Sequence, residues 1–210
     1  MLPMEGLRKL QRRFRDLPFV SVLLVIINVV VFLINLFSGD GLYYHGGLGL
    51  IPVTYYQEYD RLIWSMFLHA DSMHLCNNMV ILLFLGSMLE KEIGHIGFAV
   101  VYFLSGVSGG LLSLYEKFLT GSDAWSIGAS GAVYGLDGLL LAMVLCWPKF
   151  RNTVSFQKVA LIVGLSLYSG FMQENVDNMG HIGGLGAGFT VGLIVCVLKN
   201  IGKNPKKREV

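Results

Sequence analysis

Residues 18–37 read PFVSVLLVIINVVVFLINLF, twenty consecutive positions without an ionisable side chain. Coiled as a helix that rises about 1.5 Å per residue, the run covers about 30 Å, the thickness of a bilayer's hydrocarbon core. Outward from it, five further apolar segments can be drawn, at 73–89, 96–115, 126–147, 158–173 and 180–198; the first and fourth of these five are short. Composition agrees with that division. The 210 residues are 54% hydrophobic and 14% charged, against about a quarter charged in a soluble domain, and mean hydropathy is +0.61. The expected fold is an all-α polytopic membrane protein with six spans. The first run is too long for a removed signal peptide and has no small-residue cleavage site. Cys76, Cys146 and Cys196 lie in or beside apolar runs without CxxC pairing, which suggests neither a disulfide framework nor a zinc knuckle. No repeat of 20–50 residues is visible.

Between the first two spans lies a long segment, 38–72, with Tyr43, Tyr44, Tyr55, Tyr56, Tyr59, Trp64 and Phe67. Aromatic rings mixed with polar groups predict a structured loop at the membrane interface rather than another crossing. Lysine and arginine set the orientation. Fourteen of the sixteen cations fall on one side of a six-span topology, in the arm before residue 18, after span two, before span five and in the tail; only Arg61 and Lys117 fall on the other. The positive-inside rule then puts both termini in the cytoplasm. The chain divides into a basic arm (1–17), a six-span unit (18–198) and a basic tail (199–210). The basic ends read as topology signals, and no nucleic-acid role is expected of them.

This topology has a chemical consequence. Spans two, four and six enter from the same outer side, so polar residues early in each share one depth. Four such residues stand out: His74 and Asn78 in span two, Ser130 in span four and His181 in span six. Ser130 sits in Gly128-Ala129-Ser130-Gly131, before an apolar helical run. A serine hydroxyl needs an adjacent base to act as a nucleophile, and a helix N-terminus offers N–H groups to a developing oxyanion. The same GxSG stretch alone also serves as a small-residue packing site. His181 opens span six beside glycines at 180, 184, 188 and 192, a side-chain-free stripe that permits close helix approach. An ionisable group inside a membrane segment is a functional candidate by default. His74 and Asn78 are four apart, share a helix face, and both donate hydrogen bonds, as an oxyanion hole or an interhelical polar contact requires.

GASG with Ser130, Tyr134 four residues on, HLCNN with His74 and Asn78, and GHIGGLGAG with His181 together resemble the rhomboid intramembrane proteases, over about residues 18–198. The resemblance implies a six-transmembrane-helix bundle with a long interfacial loop between helices 1 and 2, and a Ser130–His181 dyad without a third carboxylate. It also implies an oxyanion site from His74, Asn78 and the Ser130 N–H, with Tyr134 packed on the His181 ring. The active site would lie in a water-filled cavity open to the outer side. The substrates it implies are single-span membrane proteins cut in or near the bilayer, usually after a small residue. Membrane lipid is the other expected partner, and no cofactor or metal is implied. One departure concerns the loop: the family's Trp-Arg pair is Asp60-Arg61 here, which puts loop anchoring in question. The position before His181, often alanine, is Gly180. The pair Glu90-Lys91, closing span two, also resembles the family and reads as structural.

The remaining polar residues have plainer readings. His69 is expected to make structural hydrogen bonds, and His45 and His95 to be solvated. Asp137 lies two turns below Ser130 on much the same face, where an ionised carboxylate is costly; a protonated or paired group and a polar floor beneath the dyad both remain open. Competing functions are weaker. Asp60 lies outside the spans, so it cannot meet Asp137 as an aspartyl dyad. No HExxH or other zinc-ligand spacing occurs. Ala132 stands at the last glycine of a GxSxG elbow, and no strand precedes it. No paired broken helices mark a transporter. An inactive client-holding relative would generally lack the serine or histidine that this chain keeps. The absence of a long transit segment points to a bacterial-type plasma membrane.

Overall fold

Helix α1 (Phe19–Phe37) is the quoted apolar run. Most of its Val, Ile and Leu side chains are exposed, whereas Ser21, Asn28 and Asn35, spaced by seven, are buried together with Leu24. Lipid demands this inversion of a soluble helix: hydrocarbon faces outward, and polar groups turn inward where partners exist. Ser21 meets Gly86, where an added Cβ would land on the serine side chain. Fully buried Glu90 accepts hydrogen bonds from the Val20 and Ser21 N–H groups (2.7 and 3.0 Å) and from the Ser21 hydroxyl (2.8 Å). It thereby caps the first turn of α1 from another helix. His95 is not solvated as expected: its Nδ1 lies 2.5 Å from Glu90 Oε1 and its side chain is two-thirds covered. A carboxylate buried this deeply holds a partner beside it.

The computed structural model describes residues 17–172 and 176–201, which are helical without a strand among them. Most of the expected basic arm and tail lies outside the described residues, as does the end of the fifth expected span. After α1 come α2 (Gly41–Gly46), α3 (Leu50–Thr54), α4 (Arg61–Trp64) and a 3-10 turn (Ser65–Phe67), so segment 38–72 is indeed structured. Helix α5 (Ser72–Thr120) contains expected spans two and three as two limbs broken at Gly94, whose φ of +80° and ψ of 163° suit glycine alone. Helices α6 (Ser130–Cys146), α7 (Pro148–Arg151), α8 (Phe156–Met172) and α9 (Asn178–Ile201) follow.

Expected span four was drawn from residue 126, but α6 begins at Ser130. Residues before it are committed elsewhere: Ser126 exchanges both backbone hydrogen bonds with Leu48 (2.9 and 3.0 Å), and the Gly128 N–H bonds Ser65 O at 2.9 Å. Helix α6 is the centre of the bundle, packed chiefly on α9 and α5 and buried along most of its length. The glycine stripe makes that contact. A Cβ at Gly184 would strike the Gly131 carbonyl, one at Gly188 the Gly135 carbonyl, and one at Gly192 Ala142. By length and composition, Phe19–Phe37, Ser72–Thr120 and Asn178–Asn200 are long and apolar enough to cross a membrane, and Ser130–Cys146 and Phe156–Tyr168 are shorter apolar helices. The chain is an integral membrane protein.

Candidate active site

The first turn of α6 and the first turn of α9 meet where both backbones are bare. Gly131 and Gly180 approach until a Cβ on Gly131 would lie 3.4 Å from the Gly180 carbonyl oxygen. Across this contact His181 Nε2 and Ser130 Oγ are 2.9 Å apart. To accept the serine proton, Nε2 must be the unprotonated nitrogen, which assigns the ring hydrogen to Nδ1. Nδ1 is buried, and no carboxylate among the described residues hydrogen-bonds it to orient the ring. Packing does so instead. Tyr134 stacks on the imidazole at 4.1 Å with the planes 18° apart, and a Cβ at Gly170 of α8 would lie 3.1 Å from Nδ1. Tyr134 is itself held by its hydroxyl, which donates to Ser166 O at 2.5 Å.

His74 and Asn78 open α5 on the same cavity. Asp71 caps this helix, its Oδ1 accepting the His74 N–H at 2.8 Å, and that bond and the Met73 N–H hold the fully exposed Asp71 carboxyl below its usual range. The His74 ring presses against Gly128, where a Cβ would be 2.8 Å from its Nε2. Gly128 has φ +123°, so close approach and backbone conformation both call for glycine. Asn78 Nδ2 donates to His74 O at 3.0 Å, which leaves its second N–H available. An open cavity of 840 Å³ is lined by Ser130, His181, His74, Asn78 and Tyr134 together. All five residues singled out in the sequence therefore share one space. A recess of 40 Å³ adjoins Ser130, bounded by Met66, Gly106, Gly109, Gly131 and Ser65.

Other side chains hold this arrangement, and the sequence signals them less directly. His69 is 3% exposed, and its Nε2 accepts the Ala129 N–H at 3.5 Å, directly before Ser130. Burial, and then the neighbouring His74, push its pKa down to about 3, so it is a neutral acceptor, in keeping with its structural reading. Arg61 is buried and donates to Glu58 Oε2 (2.6 Å), Tyr44 O (3.1 Å) and Gly47 O (2.8 Å). Trp125 supplies the aromatic partner absent at position 60: the guanidinium lies 5.3 Å from its ring centroid, and Tyr43 stacks on the same indole. Loop anchoring is thus met by a tryptophan 64 residues further along. Asp137 is fully buried; one carboxyl oxygen accepts the Ser166 hydroxyl at 2.8 Å, and the other has no hydrogen-bond partner among the described residues. Among the described residues no group of three His, Cys, Asp or Glu side chains is placed to hold a metal ion.

Fold and site together define a class: a helical membrane protein with a serine and a histidine paired between two glycine-packed helices. Comparison with known proteins makes it specific. Residues 56–198 match the Rhomboid domain, and the chain belongs to the rhomboid family. It is 37% identical over 159 residues to RHOMBOID-like protein 4 of Arabidopsis thaliana, covering 75% of this chain and 39% of that one. It is 32% identical over 158 residues to Rhomboid-like protease 1 of Toxoplasma gondii, covering 71% and 52%. It is 35% identical over 133 residues to Rhomboid protease GluP of Bacillus subtilis, covering 63% and 25%. The matched regions thus span between a quarter and about half of these relatives' lengths.

Proposed function

We propose that this protein is an intramembrane serine endopeptidase that cuts single-span membrane proteins with a Ser130–His181 dyad. The observation that carries the proposal is the 2.9 Å approach of His181 Nε2 to Ser130 Oγ at the N-terminus of α6. His181 takes the hydroxyl proton as Oγ attacks the scissile carbonyl carbon. Negative charge develops on the carbonyl oxygen beside the Ser130 N–H, with the His74 ring and the free Asn78 N–H as further donors. His181 then protonates the leaving amine, and the acyl group remains on Ser130. Water, activated by the same histidine, attacks that ester and restores the serine.

Cavity and recess suggest what is cut. An 840 Å³ space admits an extended peptide and water, whereas 40 Å³ beside the nucleophile accommodates little more than a methyl-sized group. The residue before the cut is accordingly small. Six crossings with both termini in the cytoplasm, as the distribution of cations requires, open the cavity to the outer side of what we take to be a plasma membrane. Aromatics of α2 to α4 then lie at the interface.

A fluorophosphonate probe tests the dyad. Wild-type protein should be labelled at Ser130, Ser130→Ala should not be labelled, and His181→Ala should label at least about a hundredfold more slowly. Labelling of folded Ser130→Ala at the wild-type rate would overturn the assignment.

A further inference from the structure

No carboxylate among the described residues bonds the His181 ring, so its aim depends on where the first turn of α9 sits. Asp177 fixes that turn. Its backbone oxygen accepts the His181 N–H at 3.1 Å, and its Oδ1 accepts the Gly180 N–H at 2.7 Å. The other carboxylate oxygen faces Lys117 at the end of α5, with Nζ and Oδ2 3.8 Å apart. Lys117 is 4% exposed, and its ammonium donates to Ser113 Oγ and Ser126 Oγ at 2.6 Å each. Burial alone would raise the Asp177 carboxyl, but the Ser113 and Ser126 hydroxyls, the Lys117 ammonium and the Gly180 N–H hold it below its usual range. Asp177 is therefore charged at neutral pH, and the buried Lys117 ammonium faces it as a specific pair rather than a surface contact.

What Lys117 joins is the two halves of the dyad. Ser126 is four residues before Ser130, in the stretch pinned to Leu48 by two backbone bonds, and the Gly128 N–H is pinned to Ser65 O. Asp177 is four residues before His181. One ammonium thus bridges the serine loop, the end of α5 and the start of the histidine helix.

We propose that Lys117 and Asp177 form a positioning pair that sets His181 against Ser130, acting through the cap of α9 and the Ser126 hydroxyl rather than on the substrate. This reading rests on the dyad. Both side chains also border the substrate cavity, so the test separates positioning from substrate binding by reading kcat apart from KM.

The test uses full-length protein in liposomes with a single-span substrate, and rates per site counted by exhaustive fluorophosphonate labelling. Asp177→Asn keeps an oxygen for the Gly180 N–H while removing the charge that faces Lys117; Lys117→Met removes the ammonium. Each should lower kcat by about ten- to a hundredfold with KM within about threefold. The double variant should be no slower than the slower single one, as expected of residues that act as a unit. Asp177→Glu should recover at least a third of the rate lost in Asp177→Asn. Unchanged kcat per labelled site in either single variant would overturn the pair, as would losses that multiply in the double variant. If Lys117→Met does not fold, Ser126→Ala, which leaves both charges, should still lower kcat at least threefold, and an unchanged kcat there counts equally against the proposal. Failure of the dyad itself reads differently, as wild-type protein that neither cleaves nor labels at Ser130.

Discussion

At the residue scale, packing and one hydrogen bond aim His181. Tyr134 covers one imidazole face, Gly170 backs Nδ1, and the bond to Ser130 takes Nε2. Ring and hydroxyl of Tyr134 make separable contributions. Tyr134→Phe keeps the stacked ring and loses the bond to Ser166 O, so fluorophosphonate labelling should stay near the wild-type rate while thermal stability falls by about 0.5–1.5 kcal/mol. Tyr134→Ala removes the face against which the imidazole rests, and labelling should slow about tenfold or more. Equal labelling by the alanine variant would show that stacking does not position the base. The approach of Ser130 to His181 is legible in the sequence, because both stand early in spans that enter from one side. Trp125 as partner to Arg61 is not legible. A cation–ring contact between positions 64 apart leaves no periodic trace, and the tryptophan stands just outside the span that hydropathy draws from residue 126.

At the scale of elements, bare glycine surfaces bring α6 and α9 together. Gly188 carries the sharpest constraint, since a Cβ there would overlap the Gly135 carbonyl oxygen, whereas Gly186 on the same helix has nothing within 4 Å. Gly188→Ala should therefore cost about 1–3 kcal/mol of stability as an overpacked contact, while Gly186→Ala should be neutral or slightly stabilising through better helix propensity. Thermal unfolding in detergent distinguishes them, and equal midpoints for the two variants would contradict the packing described. Four-residue glycine spacing makes this interface readable in advance. The start of α6 is harder to place, because hydropathy draws the span from residue 126, and the Leu48 bridge and the Gly128 bond to Ser65 O are what hold 126–129 out of the helix. Glu90 capping α1 is equally hidden, for its partners are backbone N–H groups about seventy residues away.

At the scale of the whole molecule, the polar groups gather inside the bundle, and some of them tie its stability to pH. His69 binds a proton in the unfolded chain near its ordinary pKa of 6.5, but in the folded protein only near 3. Its contribution is therefore complete above pH 6.5 and declines as pH falls from there toward 3, with a slope approaching about 1.4 kcal/mol per pH unit. His69→Gln keeps an acceptor for the Ala129 N–H without a titrating ring, so its unfolding midpoint should fall less steeply across that range; parallel curves would show that His69 is not the buried neutral group described. The most direct test of the dyad is cleavage of a single-span substrate reconstituted in liposomes. Wild-type protein should cut it, and folded Ser130→Ala and His181→Ala should not. Cleavage by Ser130→Ala at the wild-type rate would contradict the dyad outright.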